Sequence, residues 1–424
     1  MNEEIAAIAW QATSAVDHDR VQSRIAELAR FGGRSDGGVA RETLSSVDRA
    51  ARRFLVEQAR ALGCDVAVDD CGNLFFRRPG TEALPPVLTG SHADTQPVGG
   101  KLDGAYGVIA GLEVIAALND AGIRTRRPVE VVAWTNEEGC RFGPGAMGSS
   151  AFVGAADLTE YRKSTDGHGV TFGEALDEAL AEMADVRRCP MGTPLSAYVE
   201  LHIEQGPVLE QAGLPLGVVT GIQGVRWYRA TCLGQASHAG TTPMERRADA
   251  IVAATGMVQR LNEAAAQVHP ALRVTMGSWV VEPNSINTIA GKVVFTVDAR
   301  CPDDAALDRF EEILNRTVTA WDWRGEATLD RFFCKAPTIF HASVLEVVAQ
   351  ACDEVSKQAG FDAAVRLSSG AFHDAMYMAQ HCPSAMIFVP SIAGISHNAA
   401  EATAPEPLTL GVRALAHAVA SLAL

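Results

Sequence analysis

Five short segments of this 424-residue chain concentrate side chains able to hold a metal ion. GSHADT carries His92 and Asp94, LDG carries Asp103, and TNEEG carries Glu137 and Glu138. ELHIEQG contributes Glu200, His202, Glu204 and Gln205, and GISHNAAE contributes Ser396 and His397. Any one of these alone says little, because most lone histidines are satisfied polar residues and most acid pairs are solvated surface. Together they differ from an exposed acidic patch. Each follows a strand or an apolar run, and each carboxylate is strung into Gly-flanked, otherwise apolar sequence.

Imidazole and carboxylate donors suit Zn²⁺, Mn²⁺, Co²⁺ or Ni²⁺, and ligand type alone does not choose among them. A hydrolytic pair of ions about 3.5–4 Å apart needs a bridging carboxylate and roughly two further ligands for each ion. His92, Asp103, Glu138, His202 and His397 supply that number. Asp94, two residues from His92 on an extended segment, points to the same side and could accept the other imidazole N–H, fixing the tautomer. Glu137, beside Glu138, is then placed to act as general base, taking a proton from the attacking water and passing it to the leaving nitrogen.

Those residues need a scaffold that brings strand ends together. The segments 64–70, 73–79, 85–92 and 127–138 read as strands, the last two apolar enough to be central in a buried sheet. Residues 47–63 and 103–122 read as helices, each closed by a glycine. Strand, helix and strand in this order form the βαβ unit of an α/β domain, whose chemistry collects beyond the strand carboxyl ends. The character changes near residue 216. Residues 216–236 read as a hairpin, 244–267 and 303–321 as helices, and 273–283 and 292–300 as strands, enough for a compact α+β domain. Residues 345–361 resume the α/β style, and the chain ends in a helix over 408–424. The expected organisation is therefore an α/β catalytic domain, with a mixed sheet flanked by helices, over 1–215 and 333–424. A smaller α+β domain is inserted over 216–332.

Composition narrows the rest. The chain is 47% hydrophobic and 21% charged, which excludes a disordered or collagen-like polymer. A formal charge of −15 argues against nucleic acid or an anionic membrane as partner. Nine cysteines without a C-x-x-C pair read as reduced thiols. The N-terminus lacks a secretory pattern, and no apolar run reaches the roughly 18 residues of a membrane span, so a cytoplasmic location is expected. GPGAMG (Gly143, Gly145, Gly148) matches the G-x-G-x-x-G string of dinucleotide sites. It does not directly follow a strand, and charged residues already claim the loop.

The ordered set HADT, DG, NEEG, HIEQG, SHAG and ISHN resembles the metal-dependent M20 amidohydrolase and peptidase family. Within it the chain is most similar to the hydantoinase/carbamoylase branch of N-carbamoyl-L-amino-acid hydrolases, β-ureidopropionases and allantoate amidohydrolases. The resemblance implies His92 and Glu138 as terminal ligands, Asp103 as the bridge, His202 and His397 completing the pair, and Glu137 as the base. It implies that the inserted domain is a dimerisation lid and the protein a homodimer. The His at 202, where the family's peptidases usually offer an acid, favours the carbamoylase side over a dipeptidase and gives Gln205 a contact with the ureido group. From the inserted domain, His238 in QASHAG would stabilise the oxyanion in the partner subunit's site. Asn287 and Arg300 would hold a substrate carboxylate, although a structural ion pair also accounts for Arg300. SSGAFHDA resembles the family's S-G-A-G-H-D segment, with Phe372 standing where Gly is usual and His373 and Asp374 read as support. The implied reaction converts an N-carbamoyl-L-amino acid to the amino acid, CO₂ and ammonia. An allantoate or ureidoglycolate amidohydrolase is the runner-up, and a metal-free binding protein on a hydrolase scaffold is the reading from another class.

Overall fold

A computed structural model describes residues 3–424, and the chain divides into two compact units. One comprises residues up to Thr220 together with Ile339–Leu424, and the other comprises Gly221–Thr338. Among the described residues, no helix is long and apolar enough to cross a membrane.

The larger unit is built on a ten-stranded mixed sheet. Four adjacent strands at its centre run parallel: Ser384–Val389, Ala197–Ile203, Val87–His92 and Val129–Trp134. All four are buried along their whole length, as expected of parallel strands covered on both faces. Leu74–Arg78 and Asp65–Val68 extend the sheet antiparallel on one side. The helix Ala105–Asp120, apolar nearly all round and buried nearly all round, packs on the central strands. Gly107 lets it approach closely, since a Cβ there would stand 2.6 Å from the Leu201 carbonyl oxygen. The C-terminal helix Pro405–Ala423 packs beside it.

The smaller unit has a five-stranded sheet in which Lys292–Cys301 pairs antiparallel with Gly224–Leu233, and that strand with Glu326–Lys335. Burial alternates along Lys292–Cys301, so one face of the sheet receives the helices Ala250–Val268 and Asp304–Thr319. Tyr228, Met257, Leu261, Phe295, Phe310 and Leu314 fill that interior.

Two expectations for this region need correction. Residues 216–236 are not a hairpin. Gly217–Ile222 pairs with Ser384–Val389 in the large sheet, whereas Gly224–Leu233 is central to the small one. Two apolar strands separated by a tight link look the same in sequence whether they pair with each other or with different sheets. Residues 273–283 are not one strand either. Arg273–Thr275 and Trp279–Glu282 each pair with Lys292–Cys301, with a break between them. Glu326–Lys335, not singled out from the sequence, is the other long strand of this sheet.

Gly90 illustrates how tightly the central strands are set. Its φ is +131°, and a Cβ would fall 2.1 Å from the Val132 carbonyl oxygen on the neighbouring strand. Overpacking costs about 1–3 kcal/mol and left-handed backbone at an L-residue about 1–2 more, so Gly90→Ala should lose roughly 2–5 kcal/mol in urea denaturation. Unchanged stability would mean that the strand pair can spread.

Candidate metal centre

The candidate residues gather because the four parallel strands end on the same side. His92 closes the strand Val87–His92, His202 is the penultimate residue of Ala197–Ile203, and Glu137 and Glu138 follow Val129–Trp134. His397 lies in the loop that follows Ser384–Val389. Asp103 precedes the helix Ala105–Asp120, with Gly104 at its N-cap at φ +62°. A Cβ on Gly104 would stand 2.3 Å from the His92 ring, so only glycine fits there. Asn136, Gln205 and His397 also adopt left-handed backbone, at φ +56°, +57° and +52°. Each such residue costs of order 1–3 kcal/mol, and the turns carrying the donors are where it is spent.

Asp103 stands at the middle. Its Oδ1 is 3.2 Å from His202 Nε2 and 3.7 Å from His92 Nε2, while its Oδ2 is 3.2 Å from His397 Nε2. Glu138 Oε2 is 3.4 Å from the same His397 nitrogen. Two sets of donors close enough to share an ion result, His92–Asp103–His202 and Asp103–Glu138–His397, with Asp103 common to both. Glu137 Oε2 lies 3.5 Å from His92 Nε2. A third set, Glu200–His202–His373, is committed elsewhere: Glu200 accepts from Ser91, Tyr198 and the Ala375 N–H, and His373 Nε2 bonds Ser369. The donor chemistry fits divalent ions, since nitrogen and oxygen donors converge. Among the described residues, no lysine or arginine pairs with Asp103, Glu137 or Glu138.

The residues behind the donors differ in part from the sequence reading. His92 Nδ1 meets the main-chain oxygen of Asp94 at 3.0 Å, and the Asp94 carboxylate lies 3.7 Å away. That carboxylate instead accepts from the N–H groups of Glu137 and Glu138, at 3.3 and 3.4 Å, orienting their turn. Gln205 donates to Asp103 Oδ2 at 2.9 Å and to Ser396 at 3.2 Å, leaving its buried Oε1 without a partner. The glycines of GPGAMG serve the Glu137 turn: Ala146 N–H and Gly148 N–H bond the Glu137 and Thr135 carbonyls, and a Cβ on Gly145 would meet the Glu137 oxygen at 2.4 Å. Sequence reasoning passed over Gln96, whose amide donates to Glu138 Oε2 at 2.6 Å. It also passed over buried Arg41, which holds the Ala93 carbonyl at 2.6 Å, and over Glu401. Gln96 is two residues past Asp94 and Glu401 four past His397, so proximity to the motifs was the available signal; Arg41 offered none.

His238, Asn287 and Arg300 belong to the smaller unit. His238 sits on the two-residue strand Ser237–His238, paired opposite Thr288, and the Ala239 N–H bonds the Asn287 carbonyl oxygen at 3.0 Å. The Gly240 N–H donates to His238 Nδ1 at 3.0 Å, which leaves the proton of the neutral ring on Nε2. The Asn287 side-chain oxygen accepts from Ser285 at 2.9 Å. Arg300 is engaged by the Asp298 carboxylate at 2.9 Å, the structural pairing that competed with a substrate role in sequence.

Electrostatics follow from burying so many acids together. Burial, then Asp374 and Glu138, pushes the Glu137 carboxyl well above its ordinary range. Burial and Asp103 push Glu138 up to about 8. Burial also raises Asp103, but its bonds to His202 and His397 outweigh that and hold it well below the usual range. The bond to Asp103 lifts His397 to about 9, whereas burial lowers His92 to about 4 and keeps it a neutral donor.

Comparison with known proteins adds to this geometry. The sequence model of "Peptidase family M20/M25/M40" matches residues 88–421. The chain is 37% identical to an N-carbamoyl-L-amino-acid amidohydrolase of Rhizobium meliloti, over 95% of this chain and 96% of that protein. It is 34% identical to an allantoate amidohydrolase of Bacillus subtilis (strain 168), over 93% and 95%. The crystal structure of a hydantoinase/carbamoylase family amidase from Burkholderia multivorans superposes with a TM-score of 0.89 at 44% identity, covering 96% and 98% of the two chains.

At pH 7 the metal-free Glu138 and His397 hold protons that a divalent ion must displace, so affinity for Zn²⁺ should rise with pH until His397 has titrated, near 9. Calorimetric titrations in buffers of different ionisation enthalpy should report proton release at pH 7. An affinity independent of pH from about 6 to 9 would contradict the assignment.

Proposed function

The chain belongs to the M20/M25/M40 peptidase family, and on that premise we propose that it hydrolyses the C–N bond of a linear ureido group, converting an N-carbamoyl-L-amino acid to the amino acid, CO₂ and ammonia. The observation that carries the proposal is the Asp103 carboxylate, whose two oxygens face different sets of donors. In this reading His92 and His202 would hold one divalent ion and Glu138 and His397 a second, with Asp103 common to both sets. Zn²⁺, Mn²⁺, Co²⁺ or Ni²⁺ bound there would supply Lewis acidity toward the ureido carbonyl and the attacking water.

The remaining work falls to side chains. Glu137 takes the proton of the attacking water and returns it to the leaving nitrogen. Asp94 keeps Glu137 and Glu138 aimed through their backbone N–H groups. The unpartnered Oε1 of Gln205 suits the N–H₂ of a carbamoyl group, which needs an acceptor once out of water. His238, with its proton on Nε2, serves as oxyanion donor, and Asn287 and Arg300 hold the substrate carboxylate. In this proposal the segment 216–332 acts as dimerisation lid of a cytoplasmic homodimer and brings these three residues to the partner subunit's site.

The similarity to an allantoate amidohydrolase supports a second reading, in which allantoate or ureidoglycolate is the substrate, and β-ureidopropionase activity is the further variant. Ammonia release from N-carbamoyl-L-methionine, N-carbamoyl-β-alanine and allantoate, with and without added Mn²⁺ or Co²⁺, separates the three. The expected result is metal-dependent turnover strongest on the first. Protein purified without chelators should carry metal, whereas near-zero content would favour a binding protein on the same scaffold.

Glu137→Gln should lower kcat by about 10²–10⁴-fold while metal content stays at the wild-type level, and near-wild-type kcat would remove Glu137 from the base role. His238→Ala should cost about 10²–10³-fold in kcat. Mixing the inactive E137Q and H238A proteins under subunit exchange should regain activity, because one kind of heterodimer site has both residues intact. No recovery would place His238 in its own subunit's site.

A further inference from the structure

We infer that Glu401 is a positioning residue that ties the Asp103 segment to the His397 segment and so sets how tightly the ion between Asp103, Glu138 and His397 is held. The inference rests on the metal reading above. Its ground is a connection from the Asp103 main chain to Ser396, whereas Gln205 joins the same two segments through the Asp103 carboxylate. Glu401 is 4% exposed, and its Oε1 accepts from the N–H groups of both Leu102 and Asp103, at 3.0 and 3.1 Å. Its Oε2 accepts from the Ser396 hydroxyl at 3.0 Å, and that hydroxyl is 3.1 Å from Asp103 Oδ2. One carboxylate therefore holds the main chain of Asp103 and, through Ser396, the residue next to His397.

The need for such a tie follows from where the donors sit. His92 and His202 are held by the strand ladders of the sheet. Glu138 is held by Asp94 and Gln96. Asp103 and His397 lie outside the strands, on segments nearly three hundred residues apart in the chain, yet their donors must meet at 3.2 Å. The Leu102 and Asp103 N–H groups are buried and need an acceptor. Glu401 provides it from a tight turn whose own N–H bonds the Asn398 carbonyl at 3.0 Å. The room is specific too, because a Cβ on Gly100 would come within 2.1 Å of Glu401 Oε1. That glycine reads as clearance for the carboxylate. Glu401 touches no reacting atom in this arrangement, and its effect passes through Asp103 and His397.

The test titrates metal-free wild type, Glu401→Ala, Glu401→Gln and Gly100→Ala with Zn²⁺ alone, by calorimetry against a competing chelator, with bound metal counted by elemental analysis. Thermal melts of the metal-free forms check folding. Wild type should take two ions. In E401A the weaker ion should lose about 10–100-fold in affinity, as expected when an outer partner of a ligand is removed. E401Q should stay within a few-fold of wild type, because its amide oxygen can still accept from both N–H groups. G100A should resemble E401A, since it displaces the carboxylate without deleting it, and excess Zn²⁺ should restore kcat in both. Wild-type affinity in E401A or G100A would overturn the inference, as would a loss in E401Q as large as in E401A. If E401A does not fold, G100A and E401Q decide by the same criteria. Wild type that binds no ion would overturn the metal reading itself, a result distinct from unchanged variants beside a two-ion wild type.

Discussion

A carboxylate withdrawn from water must find compensating positive charge or lose its own, and Asp103 answers that constraint with imidazoles. His202 and His397 each approach a different one of its oxygens at 3.2 Å, and His92 stands at 3.7 Å. Around it Glu137, Glu138, Asp94 and Asp374 are all raised first by burial and then by a nearby carboxylate, that of Asp374, Asp103, Asp48 and Glu200 respectively. Such a collection of acids is costly in a metal-free protein. It becomes sensible when divalent charge is the missing partner, which is why the donor set weighs more than any single motif.

The fold follows from that requirement. Four fully buried parallel strands terminate side by side; three deliver donors at or just beyond their carboxyl ends, and the loop after the fourth carries His397. What the strands cannot place, the turns place: Gly104 takes positive φ freely, whereas Asn136, Gln205 and His397 take it at a conformational cost. Backbone that strained persists only where its surroundings over-determine it. Here the surroundings are main-chain carbonyls and buried side chains. Asp94 orients the Glu137–Glu138 turn, Arg41 grips the Ala93 carbonyl, and Glu401 gathers the Asp103 turn. Pre-organisation of this kind keeps donors within reach of a shared ion without waiting for the ion to assemble them.

The residues of the smaller unit present a different physical problem. His238 has its tautomer set by a neighbouring N–H, a local device that works in any surroundings. Arg300, by contrast, already has Asp298 as partner, so a substrate carboxylate there would have to share the guanidinium. Its planar fork has donors enough for that.

Much of this was legible in the sequence. Residue types and their order singled out side chains that the fold brings together, because metal-ligand chemistry restricts which side chains could serve. Apolar runs of strand length located the buried parallel strands that carry them. The helix after Asp103 was visible through its largely apolar composition and closing glycine. Pairing was not legible: 216–236 looked like a hairpin and is divided between two sheets, since a strand's composition records that it is buried and not by what. The same limit hid the supporting shell. Which oxygen of Asp94 meets His92 and that Gly145 makes room for the Glu137 carbonyl are set by the local path of the backbone, and that Glu401 reaches back to Leu102 and Asp103 is a contact between distant segments. By itself the sequence determined the chemistry available, for that resides in side-chain identity. Only the tertiary structure decided its geometry, because hydrogen bonds between residues far apart in the chain exist only once the chain has folded.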